Sequence, residues 1–279
     1  MKTANVADIQ EAKAAAARAR ANCIRLGHHA GPQGAHFGPA LSIVEIVAAL
    51  YGVVLDISPS RTYDPDRDRF ILSKGHGSLA LYTVLYEYGF IPLEVVEQCE
   101  TDGSPLPGQP KRLNEYGIEF SSGTLGMGLS FGVGLALSAR LQQRPRRMYV
   151  VMGDGETNEG SVWEAAMTAA HYELDRLTAI VDVNDMQSDG KTQDILSMDH
   201  AAKWSAFGWH VEIVQDGHDI DGLVSALTAD SFGRPRVVLA QTVKGKGVSF
   251  MENNLDWHHG RLSDAQSEQA IVEISDGIL

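Results

Sequence analysis

The stretch from Arg147 to Val183 constrains the fold most. RMYVVM and LTAIVDV are near-continuous apolar runs, the pattern of strands buried on both faces. Between them, residues 159–173 carry apolar side chains at helical spacing. Strand, helix and strand in that order make a right-handed crossover with both strands parallel. Further strands are expected at Arg69–Leu72, His210–Val214 and Arg236–Thr242. Further helices are expected over 5–27, 42–51, 199–207 and 220–229, with a glycine-rich one after GTLG. Residues 98–123 are polar and rich in Pro and Gly, and read as a long surface loop. The pattern predicts one α/β domain over 1–279, a parallel sheet with helices on both faces.

Composition narrows the function. With 279 residues, 44% of them hydrophobic, the chain can bury a full core. A net charge of −13 argues against nucleic acid or an anionic membrane as partner. An anionic ligand is still allowed, because a helix N-terminus or a metal ion can hold one locally. No run of 18 apolar residues is present, so no membrane span is expected. The Ala-rich, charged N-terminus lacks the apolar core of a signal peptide. Cys23 and Cys99 have no metal or redox spacing, and read as thiols of a reducing cytoplasm.

If the two strands are parallel, Asp154 and Asn184 leave them at one sheet edge, the edge where open α/β sheets bind ligands. A carboxylate, an amide oxygen and a nearby main-chain carbonyl make a hard-oxygen site, suited to Mg²⁺ or Ca²⁺ and not to zinc. Mg²⁺ usually takes phosphate oxygens as well, and the Gly153 and Gly155 backbone near a helix start at Glu159 would help hold a diphosphate. The plainer alternative is a Gly-Asp-Gly turn in which Asp154 caps a helix. A dinucleotide fingerprint fails: Gly126, Gly128, Gly132 and Gly134 have the wrong spacing, and no strand precedes them.

These residues resemble the thiamine diphosphate motif, GDG followed about thirty residues on by Asn. GDGETNEGSVWEA, DRFILSKGHGSLALY, SSGTLGMGLSFGVGLALS and TVKGKGVSFMENNLDWHHG together resemble the transketolase family, in particular its split N-terminal subunits. The resemblance implies that Asp154, Asn184 and the Met186 carbonyl hold Mg²⁺. It implies that Gly155, His76 and His258 contact the diphosphate. Gly123 and Leu125 would meet the pyrimidine side, and His36, His76 and His258 would line the sugar pocket. Glu159 would lie near the subunit interface. His258 competes with His259 for its role; counting back from Leu262 favours His258. The other histidines (His28, His29, His171, His200, His210, His218) read as surface or structural.

Two segments depart from the family pattern. GQPK places Gln109 where a pocket histidine usually stands, and a glutamine neither ionises nor transfers a proton near neutral pH. The loop before His36 is unusually rich in His and Gly. The resemblance also implies what is missing: the pyrimidine-binding domain and its ylid-forming glutamate. A partner subunit would supply them in an α2β2 assembly. The implied reaction is transfer of a two-carbon ketol unit from a ketose to an aldehyde. The alternatives are another thiamine diphosphate enzyme component (2-oxo acid dehydrogenase or deoxyxylulose-phosphate synthase type) and a non-catalytic scaffold.

Overall fold

The computed structural model describes residues 5–277. Helix α1 (Val6–His29) is capped by Asn5, whose side chain accepts from Asp8 N–H. The helix expected over 42–51 is α3 (Val44–Ala49) running on into a π turn over Leu50–Val54, and a separate short helix, α2 (Phe37–Leu41), precedes it. Ser42 explains the break: its hydroxyl bonds back to Pro39 O at 3.0 Å and across to Asp182 at 2.7 Å.

Strand β1 (Arg69–Leu72), α4 (Ser78–Glu87), α5 (Leu93–Val96) and α6 (Met127–Leu141) come next. The crossover foreseen in the sequence is β2 (Met148–Gly153), α7 (Gly160–His171) and β3 (Leu177–Val183). Then come α8 (Thr192–Leu196), α9 (His200–Ala206), β4 (His210–Val214), α10 (Ile220–Thr228), β5 (Arg236–Gln241) and α11 (Asp264–Asp276). All strand pairings are parallel, in the order β1-β2-β3-β5-β4. Forward crossovers put α6, α7 and α9 on one face. The return from β4 to β5 puts α10 on the other, with α1–α4 and α11. Every residue of β2 and β3 is buried, as their predominantly apolar character implies, Thr178 and Asp182 being the exceptions in β3. No helix among the described residues is long and apolar enough to cross a membrane.

The segment 98–123 is only partly superficial. Cys99, Leu106 and Ile118 are buried in the core, and Glu119 forms an ion pair with buried Arg67. Its apolar residues are too scattered to produce a periodic signal.

Strand alternation puts Asp182 on the same face as Ile180, inside the α1–α4 layer, where it is fully buried. Lys74 Nζ, Thr242 Oγ1, Ser42 Oγ and Asn184 Nδ2 all donate to it. Burial alone would raise its pKa, but the Lys74 ammonium and these donors outweigh that and hold it below the usual carboxylate value.

Candidate active site

Strands β2 and β3 end in register, with Gly153 opposite Asp182. Asp154 N–H donates to Asp182 O at 3.1 Å, so Asp154 and Asn184 emerge at the same edge. Asp154 is 3% exposed, and its two oxygens accept from the N–H groups of Gly155 and Asp185, each at 2.7 Å. Asn184 Oδ1 accepts from Met186 N–H at 3.1 Å. The capping alternative is therefore true locally: Asp154 caps a 3₁₀ turn, Gly155–Asn158. That turn lies between Gly155 and α7, so the helix proper begins at Gly160.

Burial, with nearby Asp182, raises the Asp154 pKa to about 7. A cation beside such a buried carboxylate would restore the ionised form. No group of three His, Cys, Asp or Glu side chains arranged to hold a metal ion is present among the described residues. The donors on offer are one carboxylate, one amide oxygen and main-chain carbonyls, a set that fits Mg²⁺ completed by phosphate and water.

A cavity of about 590 Å³ opens over this edge. His36, His76, Gln109, Gly123, Leu125, Gly153, Asp154, Gly155, Glu159, Asn184, Met186 and His258 all line it. The structure thus brings together every residue singled out in the sequence. The ring centroids of His36, His76 and His258 lie 5.3–5.9 Å apart. His259 packs on His36 at 4.5 Å and is not part of the wall. Burial first, then neighbouring cations and imidazoles, lower His36 to about 4 and His258 to about 3, and hold His76 well below its ordinary value. At neutral pH all three are uncharged, so each ring carries one N–H donor and one acceptor nitrogen.

Sequence reasoning missed part of this wall, chiefly Lys74, Glu156, Gln187 and Lys244. Glu156 is buried and ties three segments together, accepting from Ser73 Oγ, from Gly126 N–H at 2.8 Å and from Gly153 N–H at 3.2 Å. Lys244 is 2% exposed, and no carboxylate lies within ion-pair distance of it among the described residues. Its ammonium donates to Gln187 O at 3.0 Å and meets His258 Nδ1 at 3.0 Å. Burial and the Lys74 charge lower its pKa to about 8, so at pH 7 it is still mostly a cation. A buried cation with only neutral partners fits an anionic ligand such as a diphosphate. The only signal for it in sequence was KGKG, where the lysine reads like any surface lysine.

Residues 28–273 match the family described as transketolase, thiamine diphosphate binding domain. The chain belongs to that family. It is 42% identical over 242 residues to the 6-deoxy-6-sulfo-D-fructose transketolase subunit of a Clostridium species, a match covering 86% of this chain and 88% of the relative. It is 44% identical over 247 residues to an apulose-4-phosphate transketolase subunit of Actinobacillus succinogenes, covering 88% and 89%. The transketolase of Leishmania mexicana superposes with a TM-score of 0.86 at 27% identity, covering 95% of this chain and 41% of that one. In extent the chain corresponds to the transketolase subunits, as expected of a split N-terminal subunit, and it is a transketolase-type component of the transferase class. Part of the cavity lining is apolar and exposed: Leu125 is 36% exposed, Ile195 46% and Leu196 55%.

Proposed function

We propose that this chain, as a single domain over 1–279, is the diphosphate-binding subunit of a split transketolase. The enzyme would move a two-carbon ketol unit from a ketose donor to an aldehyde acceptor, using thiamine diphosphate and Mg²⁺. One observation carries the reading. The Asp154, Asn184 and Met186 oxygens share a single cavity with Lys244, a buried cation with no carboxylate partner among the described residues. Bound thiamine diphosphate supplies a nucleophilic carbon that breaks and remakes the bond beside a carbonyl.

The chain's own residues bind and orient. Asp154, Asn184 and the Met186 carbonyl would hold Mg²⁺. Lys244, His76, His258 and the Gly155 N–H would hold the diphosphate, with Gly153 shaping the turn. Gly123 and Leu125 would flank the pyrimidine end. Neutral His36 and His76 can each accept a hydrogen bond from one sugar hydroxyl and donate to another, whereas His258, whose Nδ1 accepts from Lys244, offers its Nε2–H. Gln109 would orient a hydroxyl without titrating. Glu159, exposed at the mouth, would face the partner.

Exposed apolar Leu125, Ile195 and Leu196 at the cavity support a partner that covers the mouth, a pyrimidine-binding subunit in an α2β2 assembly. Buried free Cys23 and Cys99 fit a cytoplasmic setting. The test is capture of the tagged chain from its host with Mg²⁺ and thiamine diphosphate present. The captured pair would then be assayed with apulose 4-phosphate and 6-deoxy-6-sulfo-D-fructose as donors, the sugars named for the two relatives. A stoichiometric partner and aldehyde-dependent turnover are expected. A pair that binds cofactor yet leaves every ketose intact would sink the transketolase reading.

A further inference from the structure

Lys244 reaches the cavity from the loop that follows β5, and beyond it the chain turns twice. Gly245 and Gly247 both take left-handed backbone angles, φ +80° and +88°. Three side chains from elsewhere in the fold grip this loop. Before Lys244, Val243 N–H donates to His218 Nε2 at 2.9 Å. After it, Arg20 Nη1 donates to Lys246 O at 2.5 Å. Glu45 joins the two grips: its oxygens accept from Arg20 Nη2, and one of them meets His218 Nδ1 at 2.8 Å. Arg20 belongs to α1, Glu45 to α3 and His218 to the turn before α10, and none of the three lines the cavity. The bonds define the imidazole. A backbone N–H only donates, so His218 Nε2 accepts, and the ring proton sits on Nδ1, facing Glu45. Burial would raise the Glu45 pKa, but Arg20 and then His218 outweigh it and lower that pKa to about 2. Glu45 is thus an ionised acceptor at neutral pH. Two backbone bonds hold the loop as well, Gly245 N–H to Gly38 O at 3.1 Å and Asn253 N–H to Lys244 O at 2.9 Å. Losing one grip should loosen Lys244 without freeing it.

We infer that His218 is a positioning residue for Lys244: with Glu45 and Arg20 it clamps the backbone on both sides of that lysine, and so holds the ammonium against His258. The clamp acts from outside the cavity and touches no ligand. Its value is that the cation stands in place before an anion arrives, so binding spends little on ordering it. That the anion is the cofactor's diphosphate rests on the reading above; the hold on Lys244 does not.

Two measurements test it. In the cofactor-free full chain labelled with ¹⁵N-histidine, the ring nitrogens of His218 and His258 are assigned by their loss in His218→Ala and His258→Ala. His218 should show a protonated Nδ1 and a bare Nε2. His218→Ala should move the His258 Nδ1 signal in the same direction as Lys244→Met does, because both take the ammonium from that nitrogen. In the reconstituted pair, calorimetry with thiamine diphosphate and Mg²⁺ should show affinity about threefold to tenfold weaker in His218→Ala, the scale of one lost hydrogen bond. In a Lys244→Met background, His218→Ala should add less than about twofold. Should His218→Ala not fold, His218→Phe, which fills the space without an acceptor, takes its place. A proton on His218 Nε2, or a His258 signal indifferent to the loss of His218, overturns the inference. A full additional loss of affinity in the double variant also overturns it, since His218 would then act independently of Lys244. A moved His258 signal in a pair that takes up no thiamine diphosphate supports the clamp, and places the failure in the transketolase reading instead.

Discussion

Where the strands begin, arginines meet carboxylates. Arg67 pairs with Glu119 while its other N–H groups reach Thr62 O at 2.7 Å and Asp68 O at 3.0 Å. Arg147 pairs with Asp68 at 3.0 Å. Where the strands end, Lys74 and Asp182 pair, but other buried charges are left open. Asp154 has only backbone donors, Lys244 has only neutral partners, and His36 Nδ1, Gln109 Oε1 and Gln187 Nε2 are buried with none. At the first edge the charges are paired within the chain, although Arg144, Arg146 and Arg236 each keep a buried Nε without a partner. The second is complementary to something the chain does not contain, and its unpaired groups are a stability cost that function explains.

Asp154 should break that symmetry most sharply. Asp154→Ala in the reconstituted pair should lower thiamine-diphosphate-dependent turnover by ~10³-fold or more, since metal anchoring is worth several kcal/mol. In cofactor-free protein the same residue should act against folding. Its folded pKa of about 7 lies above the ordinary carboxyl value of 3.8, so its favourable contribution is full below about 3.8 and is lost as pH rises through about 7. Asp154→Asn should therefore raise the melting temperature of the cofactor-free chain at pH 8, and raise it less at pH 5. A variant that melts lower at pH 8 would show that Asp154 is a structural cap and little else.

Arg67 is the opposite case. It is 1% exposed, and Arg67→Met strips buried Glu119 of its closest partner, leaving Arg69 at 3.3 Å. Breaking such a pair costs about 3–5 kcal/mol, so the denaturation midpoint should fall steeply. Cofactor affinity of the fraction that stays folded should hardly move. If affinity fell with stability, the two edges would be coupled, and the division drawn above would be wrong.

Lys244 gives an intermediate effect. Lys244→Met should weaken thiamine diphosphate binding by ~10–100-fold, the loss of one charge-assisted contact to a diphosphate. Stability should move the other way. The folded pKa, about 8, lies below the ordinary lysine value of 10.5, so the contribution to stability is full above about 10.5 and is lost as pH falls through about 8. Near pH 7 the cofactor-free Lys244→Met chain should thus be no less stable than wild type, which paired thermal melts with and without cofactor would read.

The contrast also explains what was legible in sequence. β2 and β3 were readable because strands buried on both faces must be predominantly apolar, and Asp154 and Asn184 because topology alone brings their strand ends together. The α2–α3 break was not, because it depends on Ser42 reaching Asp182, 140 positions away. Lys74, Glu156 and Lys244 were not, because charged residues are normally solvated, and only packing reveals which are buried. The histidine trio and Gln109 rose above other loop residues through the family resemblance of their flanks, and the structure then placed them on one wall.

The smallest effect should come from the rim of the first edge. Arg144 and Asp66 pair at 2.8 Å, but their side chains are 36% and 45% exposed. Water screens such a pair, and holding two long side chains in one geometry costs entropy. Arg144→Ala should change stability by about 0.5 kcal/mol or less, and raising the salt concentration should shrink even that. The comparison with Arg67 is then controlled for residue type: both are arginines paired to carboxylates at the same edge, but Arg67 is buried and also donates to Thr62 O and Asp68 O. A loss at Arg144 as large as that at Arg67 would mean that pairing itself, rather than burial of the pair, holds this edge together, and the open charges at the other edge would need a different explanation.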